Sequence, residues 1–349
     1  MKGQIGFAIA GTGSIADFHA RALAELSAGK LHAVFSRDAR KAGEFAAKHG
    51  VTADVSLADL LRRPDVDVVC VTTPSGAHEE IVLPAFAAGK HVLCEKPLEI
   101  STARVDRMIA AARSRGRLLG VVLPARFGDG ARAVKAAVDQ GRFGRLTLCS
   151  AYVKWWRTDE YYRAGKWRGT WALDGGGALM NQGIHAVDLL IWLAGIPQEV
   201  KALAGTLAHA GIEVEDTLTA SLRFEHGALG SIECATSCSP GSARRIEICG
   251  TRGSATLEED RITRWEFDAP HPDDVELRKK NAETTGGSGA SDPRAIGIAG
   301  HKRVIADMIE AVQENRSPAV AGEEGRKSVA LIEKIYASAF GKISRDRKS

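Results

Sequence analysis

Three short clusters in this chain carry residue types and spacings that could do chemistry. The first, Gly11-Thr12-Gly13-Ser14-Ile15-Ala16, follows the apolar run Ile5 to Ala10 and opens a segment with helical spacing. In such a turn Gly11 allows a tight bend, Gly13 lets the backbone approach a pyrophosphate, and the small Ala16 lets helix and strand pack closely. Glycine turns between strand and helix also occur without a ligand, so position in a β/α alternation decides the meaning. The second cluster, Cys94-Glu95-Lys96-Pro97, ends another apolar run. A lysine there can give or take a proton if burial lowers its pKa, or it can lie in solvent. The third begins Asp174-Gly175-Gly176-Gly177 and runs into a helix on which Asn181, His185 and Asp188 recur at i, i+4 and i+7, on one face. A histidine that merely fills a core needs no polar neighbours on its own face, so the pattern favours proton transfer. Zinc binding by His185 would want a further ligand nearby, and none recurs. No metal is therefore expected.

These clusters need elements to hold them. From residue 4 to about 123, β-rich apolar runs (Ile5–Ala10, Leu31–Phe35, Val66–Val71, His91–Cys94, Leu118–Leu123) alternate with helical patterns at about 14–28, 38–49, 76–89 and 101–115. That alternation predicts an α/β fold, a doubly wound parallel sheet covered on both faces. After a helix at 126–140, long alternating runs follow one another at 146–156, 198–207, 217–225, 228–237, 244–250, 254–258 and 261–267, with a helix at 178–194. They predict an α+β domain with a large, mostly antiparallel sheet. The domains expected are 1–123 and 124–349, the last helix packing back on the first. Residues 269–299, rich in Pro, Asp, Lys, Gly and Ser, read as a long loop, and helices at 300–315 and 323–341 close the chain.

The strand ends narrow the first domain's ligand. Where an acidic residue would bind the ribose of NAD, the second strand ends in Ser36, followed by Arg37. A hydroxyl and a guanidinium suit a 2′-phosphate better, which favours NADP over NAD; alternatively Asp38 merely caps the next helix and Arg37 lies in solvent. Thr72-Thr73-Pro74, with His78 just inside the following helix, should line the same crevice, since open parallel sheets bind ligands at the carboxyl ends of their strands. A turn and helix cap would look the same.

Composition excludes other classes. With 349 residues, 44% hydrophobic and 26% charged, the chain has material for two cores and none of the bias of a disordered or disulfide-rich chain. Lys and Arg total 47 against 43 Asp and Glu, a net +4, and the basic runs are too short to suggest nucleic acid. No apolar run approaches the length of a membrane span. The N-terminus runs straight into a strand with no leader pattern, which predicts a cytoplasmic protein. The six cysteines lie mostly in apolar runs and read as core; Cys234 and Cys238 lack the further ligands of a zinc site.

The glycine turn, the Glu-Lys-Pro triplet and the Gly-Gly-Gly…His-x-x-Asp helix occur together and in order, and here the chain resembles the glucose-fructose oxidoreductase/inositol dehydrogenase (Gfo/Idh/MocA) family. The resemblance implies hydride transfer between a nicotinamide and a secondary carbinol carbon of a sugar, inositol or nucleotide sugar. It places Lys96 and Glu95 at the cofactor and Lys96 also near the reacting oxygen, gives the proton to His185 with Asn181 assisting, and puts Arg126 near the cofactor. It also implies a strained or cis bond between Lys96 and Pro97. Many relatives have Asp where Asn181 stands; an amide cannot ionise, so the proton work falls on His185 and Lys96. Trp155, Arg157, Tyr161, Trp167 and Arg168 interleave aromatic faces with guanidinium groups, which suits a sugar or the phosphates of a nucleotide sugar, as in family members acting on sugar nucleotides, and equally suits an interface. Two other functions fit the same fold: a glycosidase using tightly held NAD, and a non-catalytic NAD(P)-binding regulator. By resemblance the assembly is a homodimer or homotetramer.

Overall fold

The computed structural model describes residues 3–272, 274, 275, 277, 290 and 297–341. Two units result: residues up to Pro124 together with Ile298–Arg326, and Ala125–Gly297 together with the chain from Lys327. The first unit is thus built from two stretches of sequence.

In the first unit the near-continuous apolar runs become the strands of a buried sheet, β1 (Ile5–Ala10), β2 (Gly29–Phe35), β4 (Val68–Val71), β5 (His91–Cys94) and β6 (Leu119–Val121). The sequence reading lacked β3 (Thr52–Asp54) and the short helix α3 (Leu57–Arg62) after it. β3 is a three-residue edge strand, half-exposed, with no apolar run to announce it. All pairings are parallel in the order β3-β2-β1-β4-β5-β6, so the order reverses between β1 and β4. That switch point opens a crevice at the carboxyl ends of the strands. The longer helices of this unit are α1 (Ser14–Ala24), α2 (Ala39–His49), α4 (His78–Ala87) and α5 (Thr102–Ser114). Two of them start where the sequence offers a cap: Asp38 accepts from the Lys41 N–H at the head of α2, and Ser101 from that of Arg104 at the head of α5.

The sequence division at residue 123 put the chain from 124 onward into the second domain, with only the last helix packing back on the first. Instead helix α9 (Ala299–Glu314) belongs to the first unit, and the Val121 N–H then donates to Val320 O at 2.9 Å, satisfying the outer edge of β6. The last helix, α10 (Gly322–Phe340), contributes only its first turn to this unit and otherwise belongs to the second.

The second unit is a seven-stranded sheet in the order β13-β12-β11-β7-β10-β9-β8. Its strands are β7 (Leu146–Lys154), β8 (Pro197–Gly205), β9 (Thr217–Phe224), β10 (Leu229–Ala235), β11 (Arg245–Gly250), β12 (Gly253–Glu258) and β13 (Arg261–Phe267). All pairs are antiparallel except β7 with β10. One face packs against helix α6 (Asp129–Asp139) and helix α8 (Ile184–Ala194), which is apolar almost all round and correspondingly buried. The helix expected at 178–194 is two pieces: Ala178–Gly183 is wound as a π-helix and α8 follows it. A five-residue helix α7 (Asp159–Arg163), capped by Thr158, lies where sequence periodicity was too short to show one. The loop expected at 269–299 falls largely outside the described residues.

Candidate active site

In the first unit the glycine turn is shaped by packing at one end and left open at the other. Gly11 has φ 115°, and a Cβ there would lie 2.7 Å from Thr72 Oγ1 and 2.8 Å from the Thr72 carbonyl, so only glycine fits between β1 and β4. Around Gly13, by contrast, a Cβ would meet no atom within 4 Å. Gly13 begins α1, and no side chain caps that helix. Thr12, Ser14 and Ile15 flank it half-buried to exposed. Free N–H groups at an uncapped helix start, beside a backbone with no side chain in the way, are what a pyrophosphate binds. Across the crevice Thr73 Oγ1 is buried without a hydrogen-bond partner, a donor waiting for an acceptor. The residues present therefore fit a dinucleotide.

At the end of β2, Ser36 Oγ accepts from the Asp38 N–H at 3.2 Å while Asp38 caps α2, so no carboxylate takes the ribose position; Arg37 is exposed. Pro74 leads into a one-turn 3-10 helix at Ser75–Ala77. His78 differs from its sequence assignment: it is 1% exposed, with Nε2 3.0 Å from Thr73 O and Nδ1 3.2 Å from Leu98 O. Burial pushes its pKa down against those carbonyls. It braces the loop after β4 against the Glu-Lys-Pro loop and does not line the crevice.

Lys96 is half-buried at the end of β5, and its bond to Pro97 is cis. Glu95 beside it turns inward, 5% exposed. Its Oε1 accepts from His19 Nε2 at 2.8 Å and lies 3.7 Å from His301 Nε2, while Oε2 accepts from the Lys96 N–H at 3.2 Å. Burial alone would raise its pKa, but the two imidazoles hold the carboxyl well below its usual range.

The second unit explains its own glycine run. A Cβ on Gly176 would sit 2.2 Å from the Tyr336 hydroxyl, and one on Gly177 would sit 1.7 Å from Glu215 O. These glycines let the backbone close on Glu215 and Tyr336, which sequence reasoning missed. Glu215 Oε2 accepts from the Gly177 N–H at 3.0 Å and Oε1 from the Leu179 N–H at 2.9 Å and the Tyr336 hydroxyl at 2.8 Å. A side chain from the loop that precedes β9 thereby caps the π-helical turn that carries Asn181. Its carboxyl is pushed up to about 7, burial outweighing the bonds it receives.

Asn181 and His185 are half-buried along this segment. Asn181 Nδ2 donates to Asp174 Oδ1 at 2.7 Å, and the other oxygen of Asp174 accepts from the Gly169 N–H at 2.9 Å. The missing carboxylate thus stands one hydrogen bond behind the amide. Asp188, read as sharing the face of His185, is instead fully buried. It accepts from Arg126 Nε at 2.8 Å and Nη2 at 2.7 Å and from Ser328 Oγ at 3.1 Å. The π-helical turn ends at Gly183, so it shifts Asn181 off the 3.6-residue spacing, while His185 and Asp188 stay three residues apart on the regular α8. Arg126 is 6% exposed and lies 5.6 Å from the Trp192 ring, so this pair joins α8 to the second unit's core.

The aromatic and basic stretch divides in two. Trp155 is 6% exposed and packs in the core; Arg157 is 4% exposed, with Nη1 donating to Trp156 O at 2.7 Å and Ala290 O at 3.0 Å. Their sequence-based place at a substrate surface is corrected: a buried guanidinium needs acceptors, and backbone carbonyls supply them. Tyr161, Trp167 and Arg168 stay half-buried together, the Arg168 guanidinium 4.6 Å from the Tyr161 ring and 5.0 Å from that of Trp167. Gln182 Nε2 donates to the Tyr161 hydroxyl at 2.9 Å, tying this cluster to the residue after Asn181. Arg168 Nε and Gln182 Oε1 are buried with no partner.

Comparison with known proteins agrees with both units. Residues 5–123 match the oxidoreductase family described as an NAD-binding Rossmann fold, and residues 131–256 match the GFO/IDH/MocA C-terminal domain. The chain is 36% identical over 230 residues (65% of its length, 67% of the relative's) to trans-1,2-dihydrobenzene-1,2-diol dehydrogenase of Oryctolagus cuniculus. It is 32% identical over 275 residues, 77% of each chain, to inositol 2-dehydrogenase of Ralstonia nicotianae. The crystal structure of the WlbA dehydrogenase from Bordetella pertussis in complex with NADH and UDP-GlcNAcA superimposes with a TM-score of 0.90 at 36% identity, covering 97% of this chain and 96% of that one. The nucleotide-ready turn, the Glu-Lys-Pro loop and the braced Asn181–His185 segment are therefore those of a known lineage: the chain belongs to the GFO/IDH/MocA family of NAD-binding oxidoreductases.

Proposed function

We propose that the protein oxidises a secondary alcohol of a sugar, polyol or nucleotide sugar, or reduces the matching ketone. The observation that carries this reading is its 36% identity over nearly the whole chain to the WlbA dehydrogenase, whose structure holds NADH and UDP-GlcNAcA. Backbone N–H groups from Thr12 to Ile15, beside the bend at Gly11, would hold the pyrophosphate, with Thr73 and Ser36 offering hydroxyls and Arg37 a cation for a 2′-phosphate. Bound NAD supplies the hydride acceptor. Lys96 stabilises the negative charge that develops on the substrate oxygen, and His185 takes the proton. Asn181, fixed by Asp174, orients the hydroxyl but cannot ionise. Tyr161, Trp167, Arg168 and Gln182 offer aromatic faces, a cation and an unfilled acceptor to the sugar or its phosphates.

We place the protein in the cytoplasm as a homodimer or homotetramer. All six cysteines are free, which suits a reducing compartment. No helix among the described residues is long and apolar enough to cross a membrane. Leu148, Leu203 and Leu229 stand 51%, 78% and 48% exposed on the outer face of the second sheet, which supports association there. The test is NADH binding by calorimetry, followed by NAD reduction over a panel of inositols, sugars and UDP-linked uronic acids. Turnover that needs His185 supports the reading. Net glycoside hydrolysis with no change in NAD would replace it with the glycosidase, and tight binding with no turnover would leave a regulator.

A further inference from the structure

We propose that His19 and His301 are positioning residues that grip Glu95 and thereby fix the backbone of Lys96. The inference rests on the proposed role of Lys96. Glu95 occupies the last position before the reactive lysine, and its carboxylate has no solvent to satisfy it at 5% exposure. It instead receives His19 Nε2 at 2.8 Å and the Lys96 N–H at 3.2 Å, with His301 Nε2 at 3.7 Å. His19 is fully buried and His301 6% exposed, with ring centroids 5.6 Å apart in an edge arrangement, so neither imidazole can swing away. The three side chains come from three elements. His19 sits on α1, whose uncapped start faces the pyrophosphate position; Glu95 follows β5; His301 lies on α9, from the returning stretch of chain. The grip therefore links the helix that would feel the cofactor to the loop that aims the lysine.

The same three ligand atoms lie within 4.8 Å of one another and could be read as a metal site. Two features argue for hydrogen bonds instead. A contact of 2.8 Å is the length of a charge-assisted N–H···O bond. Metal-bound imidazoles normally anchor their second nitrogen, and Nδ1 of both His19 and His301 is buried without a partner.

The test compares E95Q, H19L and H19Q, the last of which keeps a nitrogen donor where Nε2 stands. Lys96 is read directly by its rate of acetylation with acetic anhydride, relative to surface lysines, in the NADH complex. E95Q and H19L should change that rate at least about threefold, as a half-unit change in an amine's pKa would, and H19Q should restore it. The kcat on whichever alcohol is turned over should fall in parallel while KM and NADH affinity stay near wild type. Should H19L not fold, E95Q and H19Q still decide. Unchanged Lys96 reactivity in E95Q overturns the grip, as does stoichiometric zinc binding abolished by H19Q. Acetylation needs no substrate, so a failed alcohol screen would sink the proposed function and leave this result standing.

Discussion

Glu215→Gln isolates the carboxyl that holds the π-helical turn. In the folded chain this carboxyl is pushed up to about 7 from its ordinary 4.5, so the native state binds its proton more tightly than the unfolded chain does. Its stabilising contribution is complete below about pH 4.5 and is lost as pH rises through about 7. The gap between those values, at about 1.4 kcal/mol per tenfold, is worth about 3 kcal/mol. The amide of the variant offers one acceptor fewer to the Gly177, Leu179 and Tyr336 donors, costing about 1–3 kcal/mol at every pH, but it does not titrate. Wild type should therefore exceed the variant clearly at pH 5, and the difference should shrink or invert by pH 8. All six tryptophans, Trp155, Trp156, Trp167, Trp171, Trp192 and Trp265, lie in the second unit, so urea titration followed by tryptophan fluorescence reports on the unit that contains Glu215. A stability difference that stays constant from pH 5 to 8 would refute the reasoning, since the carboxyl would then be charged throughout.

Three further outcomes are expected. Gly177→Ala drives a Cβ to 1.7 Å from a backbone carbonyl and should lower the second unit's stability by at least about 2 kcal/mol in the same titration, with NADH affinity unchanged. Asp174→Ala removes the acceptor that fixes Asn181, and steady-state kinetics should show kcat falling about tenfold or more with little change in cofactor affinity. Arg37→Ala should weaken NADPH binding by about tenfold in calorimetry and leave NADH unaffected, because only a 2′-phosphate needs the exposed guanidinium.

The legible parts of this chain were those fixed by local pattern. Apolar runs of period two and helical stripes located most elements, because burial writes itself into neighbouring residues. The glycine turn was legible for the same reason: Gly11 and Gly13 follow a strand and open a helix. What escaped depended on distant residues. The π-helical turn at 178–183 is set by Glu215 and Tyr336, some 36 and 156 positions from their N–H donors Leu179 and Met180. Helix α9 reads as an ordinary amphipathic helix, and nothing in its own residues says which unit it joins. Arg157 and His78 look like surface and crevice residues, yet backbone carbonyls from other segments let both be buried. Glu95 was singled out as part of a triplet, but His19 and His301, which explain its burial, carry no mark in the sequence.

The most direct test of the account is mass analysis of UDP-linked N-acetylglucosaminuronic acid, and of the other panel alcohols, after incubation with NAD and either wild-type protein or His185→Ala. The account predicts a keto product, lighter by one hydride and one proton, formed with equal NADH by wild type, and formed far more slowly by the variant although it binds NADH normally. Absence of any keto product from wild type that demonstrably binds NADH, or equal turnover by the variant, would contradict it.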